Sequence, residues 1–199
     1  MASDKHSRPV ATDYLIRRPV VADADIMGAL HVEVWRQTYA GMMSTEALAA
    51  MDPADRASIW RRIAENANAR EAEGNRVRIA QHVSTGELVG FAFVGPARDD
   101  DAPTPTQLWA INVLATHQGT GVAGRLLAET LGDRDGYLWV VEGNARARSF
   151  YRRHGFEPDG GRLRDEELAV DEIRMVRRRA SAAEPDQAGS APDAATTVK

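Results

Sequence analysis

The chain's most reactive-looking backbone is Gln118-Gly119-Thr120-Gly121-Val122-Ala123-Gly124. It follows the apolar run 108–114 and leads into Arg125-Leu126-Leu127-Ala128-Glu129-Thr130-Leu131. That order reads strand, glycine turn, helix, with Ala123, Leu126, Leu127, Thr130 and Leu131 at helical spacing. The first turn of a helix leaves N–H groups without partners, and the helix dipole adds positive charge there. Glycines let a phosphate approach that backbone, so the segment is a candidate pyrophosphate cradle. The alternative is a turn that uses glycine for geometry alone.

A second segment offers side-chain chemistry. Tyr137-Leu138-Trp139-Val140-Val141 reads as a buried strand. The run 142–156 follows, with Asn144 near a helix N-terminus and Gly155 where that helix would stop. Asn144 and Tyr151 are two helical turns apart and share a face. An amide and a phenol there could address one ligand. They could equally be a cap and a core residue.

Gly119-x-Gly121-x-x-Gly124 also spells the dinucleotide-binding fingerprint, with the acidic Glu142 downstream. The context argues against that use. Ala115, Thr116, His117 and Gln118 separate the first glycine from the strand, and too few strand–helix units remain afterwards. No Gly-Lys-Ser/Thr follows, which excludes a triphosphate P-loop.

Together the two segments resemble the GNAT family of N-acetyltransferases. Its first signature, Gln/Arg-x-x-Gly-x-Gly/Ala, is matched by Gln118, Gly121 and Ala123. Its second, Asn-x-x-Ala-x-x-Phe/Leu-Tyr-x-x-x-Gly-Phe, is matched by Asn144, Ala147, Phe150, Tyr151, Gly155 and Phe156. The resemblance runs over residues 14–178 in order of elements. It implies an α/β (α+β) fold with a mixed, mostly antiparallel central sheet flanked by helices. It implies acetyl-coenzyme A as co-substrate and a primary amine of a small molecule or peptide as acceptor. By the same resemblance Gly119, Thr120, Gly121, Val122, Ala123 and Gly124 hold the pyrophosphate. Ile111, Asn112 and Val113 pair with the pantetheine arm, Asn144 holds it, and Tyr151 protonates the departing thiolate.

The chemistry fits these residue types. A neutral amine attacks the thioester, a strand N–H such as that of Val113 can stabilise the oxyanion, and a phenol can act as general acid. The chain has no Cys, so no thiol relay operates. The base is open. The branch of the family that acetylates protein N-termini commonly carries Glu where this chain has Trp139. The preceding strand offers only the amide Asn112; Glu33 and Glu142 are the carboxylates nearby in order. His117 reads as a turn-surface residue, and His31 as lining a site or exposed on a helix. A non-catalytic acyl-coenzyme A binding module on the same fold is the alternative class.

The remaining elements must position these groups. At 199 residues and 43% hydrophobic content, one domain over 13–179 is expected, with a flexible leader at 1–12 and a disordered tail at 180–199. Residues 14–17 begin a strand, and residues 23–37 form a helix with Ile26, Leu30 and Val34 as its stripe. Ser44 caps a second helical region, and Asp52-Pro53 restarts it with Ile59, Trp60 and Ile63 on its apolar face. Residues 76–82 and 88–94 form a hairpin about Thr85-Gly86. Asp99-Asp100-Asp101 marks an exposed loop that could attract a cationic substrate or simply be solvated, Pro158-Asp159-Gly160-Gly161 a turn, and 171–176 the last strand. Between the first two helices, Trp35, Tyr39 and the Met42-Met43 pair are either core or the lining of an acceptor slot.

A net charge of −4 gives no support for nucleic-acid binding. No apolar run approaches the roughly 20 residues of a bilayer span, so no membrane association is expected. The polar Met1–Pro9 lacks the apolar region of a secretory signal, and with no Cys the cytoplasm is the expected compartment. No metal site is expected, and the chain is expected to be a monomer or homodimer.

Overall fold

A computed structural model of the chain describes residues 9–41, 44–166 and 170–179. The tail expected at 180–199, and Met42-Met43, lie outside these residues. A seven-stranded sheet runs in the order β1-β2-β3-β4-β5-β7-β6. Its strands are β1 Tyr14–Arg17, β2 Arg76–His82, β3 Leu88–Pro96, β4 Thr106–Val113, β5 Gly136–Val141, β6 Glu157–Asp165 and β7 Val170–Arg177. All neighbours are antiparallel except β4 and β5. The expected mixed, mostly antiparallel sheet is therefore present.

Helices α1 Ala24–Tyr39, α2 Thr45–Ala49, α3 Pro53–Glu65 and α4 Ala67–Ala72 precede the hairpin. Helix α1 buries Met27, Leu30 and Val34 against Trp60, Ile63, Ile79 and Phe91. Ile26 is 57% exposed, so the stripe begins one residue later than its periodicity suggests. Gly28 sets the α1–α3 crossing: a Cβ there would stand 2.5 Å from the Pro53 carbonyl oxygen. Ser44 Oγ accepts from Ala47 N–H and Asp52 Oδ1 from Ala54 N–H, the two caps that start α2 and α3.

On the other sheet face lie α5 Val122–Thr130 and α6 Ala145–Arg153. Val122 and Leu126 pack on Tyr14, Ala80, Val89 and Val113. Tyr151 packs with Leu138, Val140, Phe156, Ile173 and Met175. The segment before β1 belongs to this layer. Residues Ala11–Asp13 form a 3-10 turn, and Arg125 Nη1 donates to the Ala11 carbonyl at 2.8 Å. Ala11 and Thr12, at the end of the leader expected over 1–12, lie in this turn.

The site depends on where the sheet fails to close. Strands β4 and β5 pair at one position, Gln107 with Tyr137. There Tyr137 donates its hydroxyl proton to Gln107 Oε1 at 3.1 Å. Beyond it β4 stays with β3 and β5 with β7, so the two strands part as a fork. Phe93 faces Ala110 while Val94 faces Leu108, which leaves Trp109 as a bulge that bends β4 near the divergence.

Candidate active site

Backbone alternation aims β4 into the fork. Leu114 N–H donates to the Val89 carbonyl on β3 at 2.9 Å. The N–H groups of Asn112 and Leu114 therefore face β3, and those of Ile111 and Val113 face the fork. Asn112 shares the sheet face of Ala110 and Leu114, which pack toward α1 and α3. Of the three strand residues named by sequence, Ile111 and Val113 offer backbone to the gap and Asn112 offers a side chain on the α1 side.

A 3-10 turn at Ala115–His117 carries the chain from β4 to the glycines. Gln118 Nε2 donates to the Val113 carbonyl at 2.9 Å and ties the turn to the strand end. Gly119 and Gly121 stand at φ 78° and 90°, left-handed backbone that suits glycine. Thr120 is buried, and its hydroxyl donates to the His117 carbonyl at 2.7 Å. The first helical bond of α5 that returns to the turn runs from Arg125 N–H to the Gly121 carbonyl. Among the described residues, the N–H groups of Gly119, Gly121, Ala123 and Gly124 have no protein acceptor. Val122 buries its side chain in the core, so it offers backbone alone. Gly124 lets α5 meet α6: a Cβ there would lie 3.1 Å from His154 Nε2.

Asn144 caps α6, with Oδ1 accepting from Ala147 N–H at 3.0 Å. The cap uses the oxygen and leaves the amide NH₂ to point elsewhere. Tyr151 is 8% exposed, with ring centroids 5.3 Å from Phe150 and 5.8 Å from Phe156. Its hydroxyl bonds to no described residue, although the side chain is buried. Burial pushes the phenol's pKa up, and the Tyr39 phenol adds to the shift. The group stays protonated at neutral pH.

Tyr39 reaches this region from the end of α1. Trp35 and Tyr39, 5.2 Å apart, pack with Leu48, Val141 and Val170 at the end of β5. Gln37 Oε1 accepts from Ala115 N–H at 2.9 Å, fixing α1 to the end of β4. Glu33, weighed as a base, instead accepts from Gln37 Nε2 at 2.7 Å. Glu142 is held by Arg162 at 2.9 Å. His31 packs against Phe91 at 4.8 Å, and burial followed by the Arg56 charge holds its pKa down at about 4.

Two surface readings change. His117 is buried, with Nδ1 2.9 Å from the Tyr14 hydroxyl and Nε2 3.3 Å from Glu87. It braces the turn from the side of β1. The acidic loop is not simply solvated. Asp99 accepts from Trp139 Nε1 at 2.7 Å, and Asp101 pairs with Arg174 at 2.9 Å. Trp139 thus ties β5 to this loop. One group that sequence reasoning passed over is Glu172 on β7, half-buried on the same sheet face as Val170. Its place in Val170-Asp171-Glu172-Ile173 reads as an ordinary polar position of an alternating strand.

A forked sheet with a glycine turn feeding a helix at its open end defines the class of acyl-coenzyme A N-acyltransferase folds. Comparison with known proteins agrees. A family model described as acetyltransferase (GNAT) domain matches residues 73–158, which hold both segments singled out above. "Probable N-acetyltransferase Rv2775" of Mycobacterium tuberculosis is 31% identical over 149 residues, covering 73% of this chain and 80% of that protein. "Uncharacterized N-acetyltransferase YuaI" of Bacillus subtilis is 25% identical over 176 residues, covering 81% and 95%. The crystal structure of PaiA N-acetyltransferase from Thermoplasma acidophilum in complex with coenzyme A superposes with a TM-score of 0.64. It shares 19% identity and covers 83% of this chain and 99% of its own. The chain belongs to the GNAT family and is an acetyltransferase. No described helix is long and apolar enough to cross a membrane.

Proposed function

We propose that the chain transfers the acetyl group of acetyl-coenzyme A to a primary amine of a small molecule or peptide, by direct attack of the amine on the thioester. The observation that carries this reading is the Tyr151 hydroxyl, a protonated phenol without a protein partner beside the fork. The glycine turn fits a pyrophosphate. Gly119 and Gly121 hold left-handed backbone, and four nearby N–H groups have no protein acceptor. The coenzyme supplies an activated acyl group.

The chain's own residues do the rest. Ile111 and Val113 present N–H groups along the fork to an extended amide arm, as a neighbouring strand would. The Asn144 amide binds that arm at the head of α6. Val113 N–H is the oxyanion donor on the thioester carbonyl. Tyr151 gives its proton to the departing sulfur. Trp35 and Tyr39 wall the acceptor side. Calorimetric titration with acetyl-coenzyme A and, separately, NAD tests the cofactor assignment. The expected result is binding of the first only; NAD binding without coenzyme A binding would overturn it.

A further inference from the structure

The acceptor nitrogen must be neutral to attack, and the groups placed so far supply an acid but no base. Strand β7 brings one to the same end of the sheet. Ile173 and Met175 pack with Tyr151 and Phe156 on the α6 face. Val170 packs with Leu48 and Val141, beside Trp35 and Tyr39, on the opposite face. Side chains alternate along a strand, so Glu172 lies on the face of Val170 and Tyr39. Its cross-strand partners are Val141, the last residue of β5, and Leu163 of β6. Glu172 therefore stands next to the open end of the fork, just before the turn that delivers Asn144.

No cation neutralises it among the described residues. On its own strand Asp171 pairs with Arg164 at 3.1 Å, and Arg174 is committed to Asp159 at 2.8 Å and Asp101 at 2.9 Å. At the end of β5 the Glu142 carboxylate holds Arg162 and its carbonyl accepts from Arg148. On α1, Arg36 donates to the Leu48 and Met51 carbonyls. What Glu172 faces is Asp165 from β6 and Tyr39 from α1. Burial and then Asp165 push the Glu172 carboxyl above its usual range. Burial, then Glu172, then Asp165 push the Tyr39 phenol up. Tyr39 in turn acts on Tyr151, whose side chain is more than nine-tenths buried with an unpartnered hydroxyl. Glu172 and Tyr39 thus share one sheet face at the end of β5, and Tyr151 stands on the other.

Resting on the acetyl-transfer reading above, we propose that Glu172 is the base for the acceptor, and that the acceptor is a primary amine arriving as a cation. The ammonium seats between the Glu172 carboxylate and the Tyr39 ring, and an unpaired carboxylate with an aromatic wall selects positive charge. Glu172 takes the first ammonium proton and releases it to water. The neutral nitrogen forms the C–N bond as the C–S bond breaks. Tyr151 protonates the sulfur and is reprotonated by the second proton leaving the nitrogen. The sum is ammonium plus thioester giving amide, thiol and one proton. Half-burial suits the task, because a carboxyl held above its usual range is a better proton acceptor.

Glu172→Gln keeps the shape and removes the base. With an amine that wild type acetylates, kcat/KM should fall on the order of 10²-fold at neutral pH. Coenzyme A affinity, read by calorimetry, should not change. The deficit should shrink as pH approaches the amine's own pKa, where solvent supplies neutral amine. Glu172→Asp should recover part of the rate. A second readout does not need turnover: n-hexylamine should bind wild type saturated with coenzyme A at least tenfold more tightly than the Gln variant. Equal amine binding, or a deficit that stays constant with pH, would overturn the proposal. Absence of coenzyme A binding by wild type would instead overturn the cofactor reading beneath it.

Discussion

Tyr151→Phe removes one oxygen and leaves the packing. The ring keeps its edge contacts with Phe150 at 5.3 Å and Phe156 at 5.8 Å. The hydroxyl bonds to no described residue, so its loss strands no donor or acceptor. Stability should therefore change by less than about 1 kcal/mol, the scale of one net hydrogen bond. Catalysis should change far more. Loss of a general acid costs about 10²–10⁴-fold in rate, or roughly 3–5 kcal/mol of barrier. A packing residue gives small effects on both quantities; a proton donor separates them. The assay is single-turnover thiol release with an accepted amine, beside thermal melting and calorimetry with coenzyme A. The expected result is a slowed chemical step with melting and coenzyme affinity near wild type. Full activity in the Phe variant would refute the reasoning, and water would then protonate the sulfur.

Three further outcomes follow from the same geometry. Gly121→Ala should lower melting temperature and weaken coenzyme A binding. Its φ of 90° costs an L-residue about 1–2 kcal/mol, and the new methyl would stand 2.9 Å from Ala11 Cβ. Adding Ala11→Gly should return part of the stability, whereas unchanged coenzyme affinity in Gly121→Ala would move the cradle elsewhere. Gly28→Ala should destabilise by about 1–3 kcal/mol through overpacking at the α1–α3 crossing, read by urea unfolding; a silent substitution would mean the helices part freely. His31 holds a pKa of about 4, below its ordinary 6.5. The unfolded chain therefore binds the proton first as pH falls. His31's contribution is intact above about pH 6.5 and is lost toward pH 4, a total of about 3 kcal/mol. Denaturant unfolding of wild type should weaken by about 2 kcal/mol between pH 7 and about pH 5 relative to His31→Gln. Parallel pH dependence in the two proteins would place His31 in water.

Elements with strong local signals were legible, and features made by long-range pairing were not. The hairpin, α1 and the glycine turn follow from periodicity and punctuation, and Ser44 and Asp52 cap the helices expected of them. Strand β6 was hidden. Pro158-Asp159-Gly160-Gly161 reads as a turn but lies inside Glu157–Asp165, where the pairing jumps from Pro158–Met175 to Arg162–Ile173. An exposed polar edge strand has no apolar alternation to reveal it. The short α4 carries no buried residue and left no stripe. His117 looked like surface because nothing local predicts Tyr14, 103 positions away, as its partner. The fork needs a parallel crossover through α5, which no window of sequence encodes. Glu172 is the same case: its meaning comes from Tyr39 and Val141, on other elements.

Acetyl transfer to an amine is tested most directly by incubating the purified chain with acetyl-coenzyme A and a panel of primary amines, small and peptidic, while following free thiol. Mass spectrometry identifies the acylated product. The account predicts amine-dependent thiol release, one acetylated amine per thiol, above a slow hydrolytic background, with the rate lowered about 10²–10⁴-fold in Tyr151→Phe. Coenzyme A binding with thiol release that no amine accelerates would contradict it.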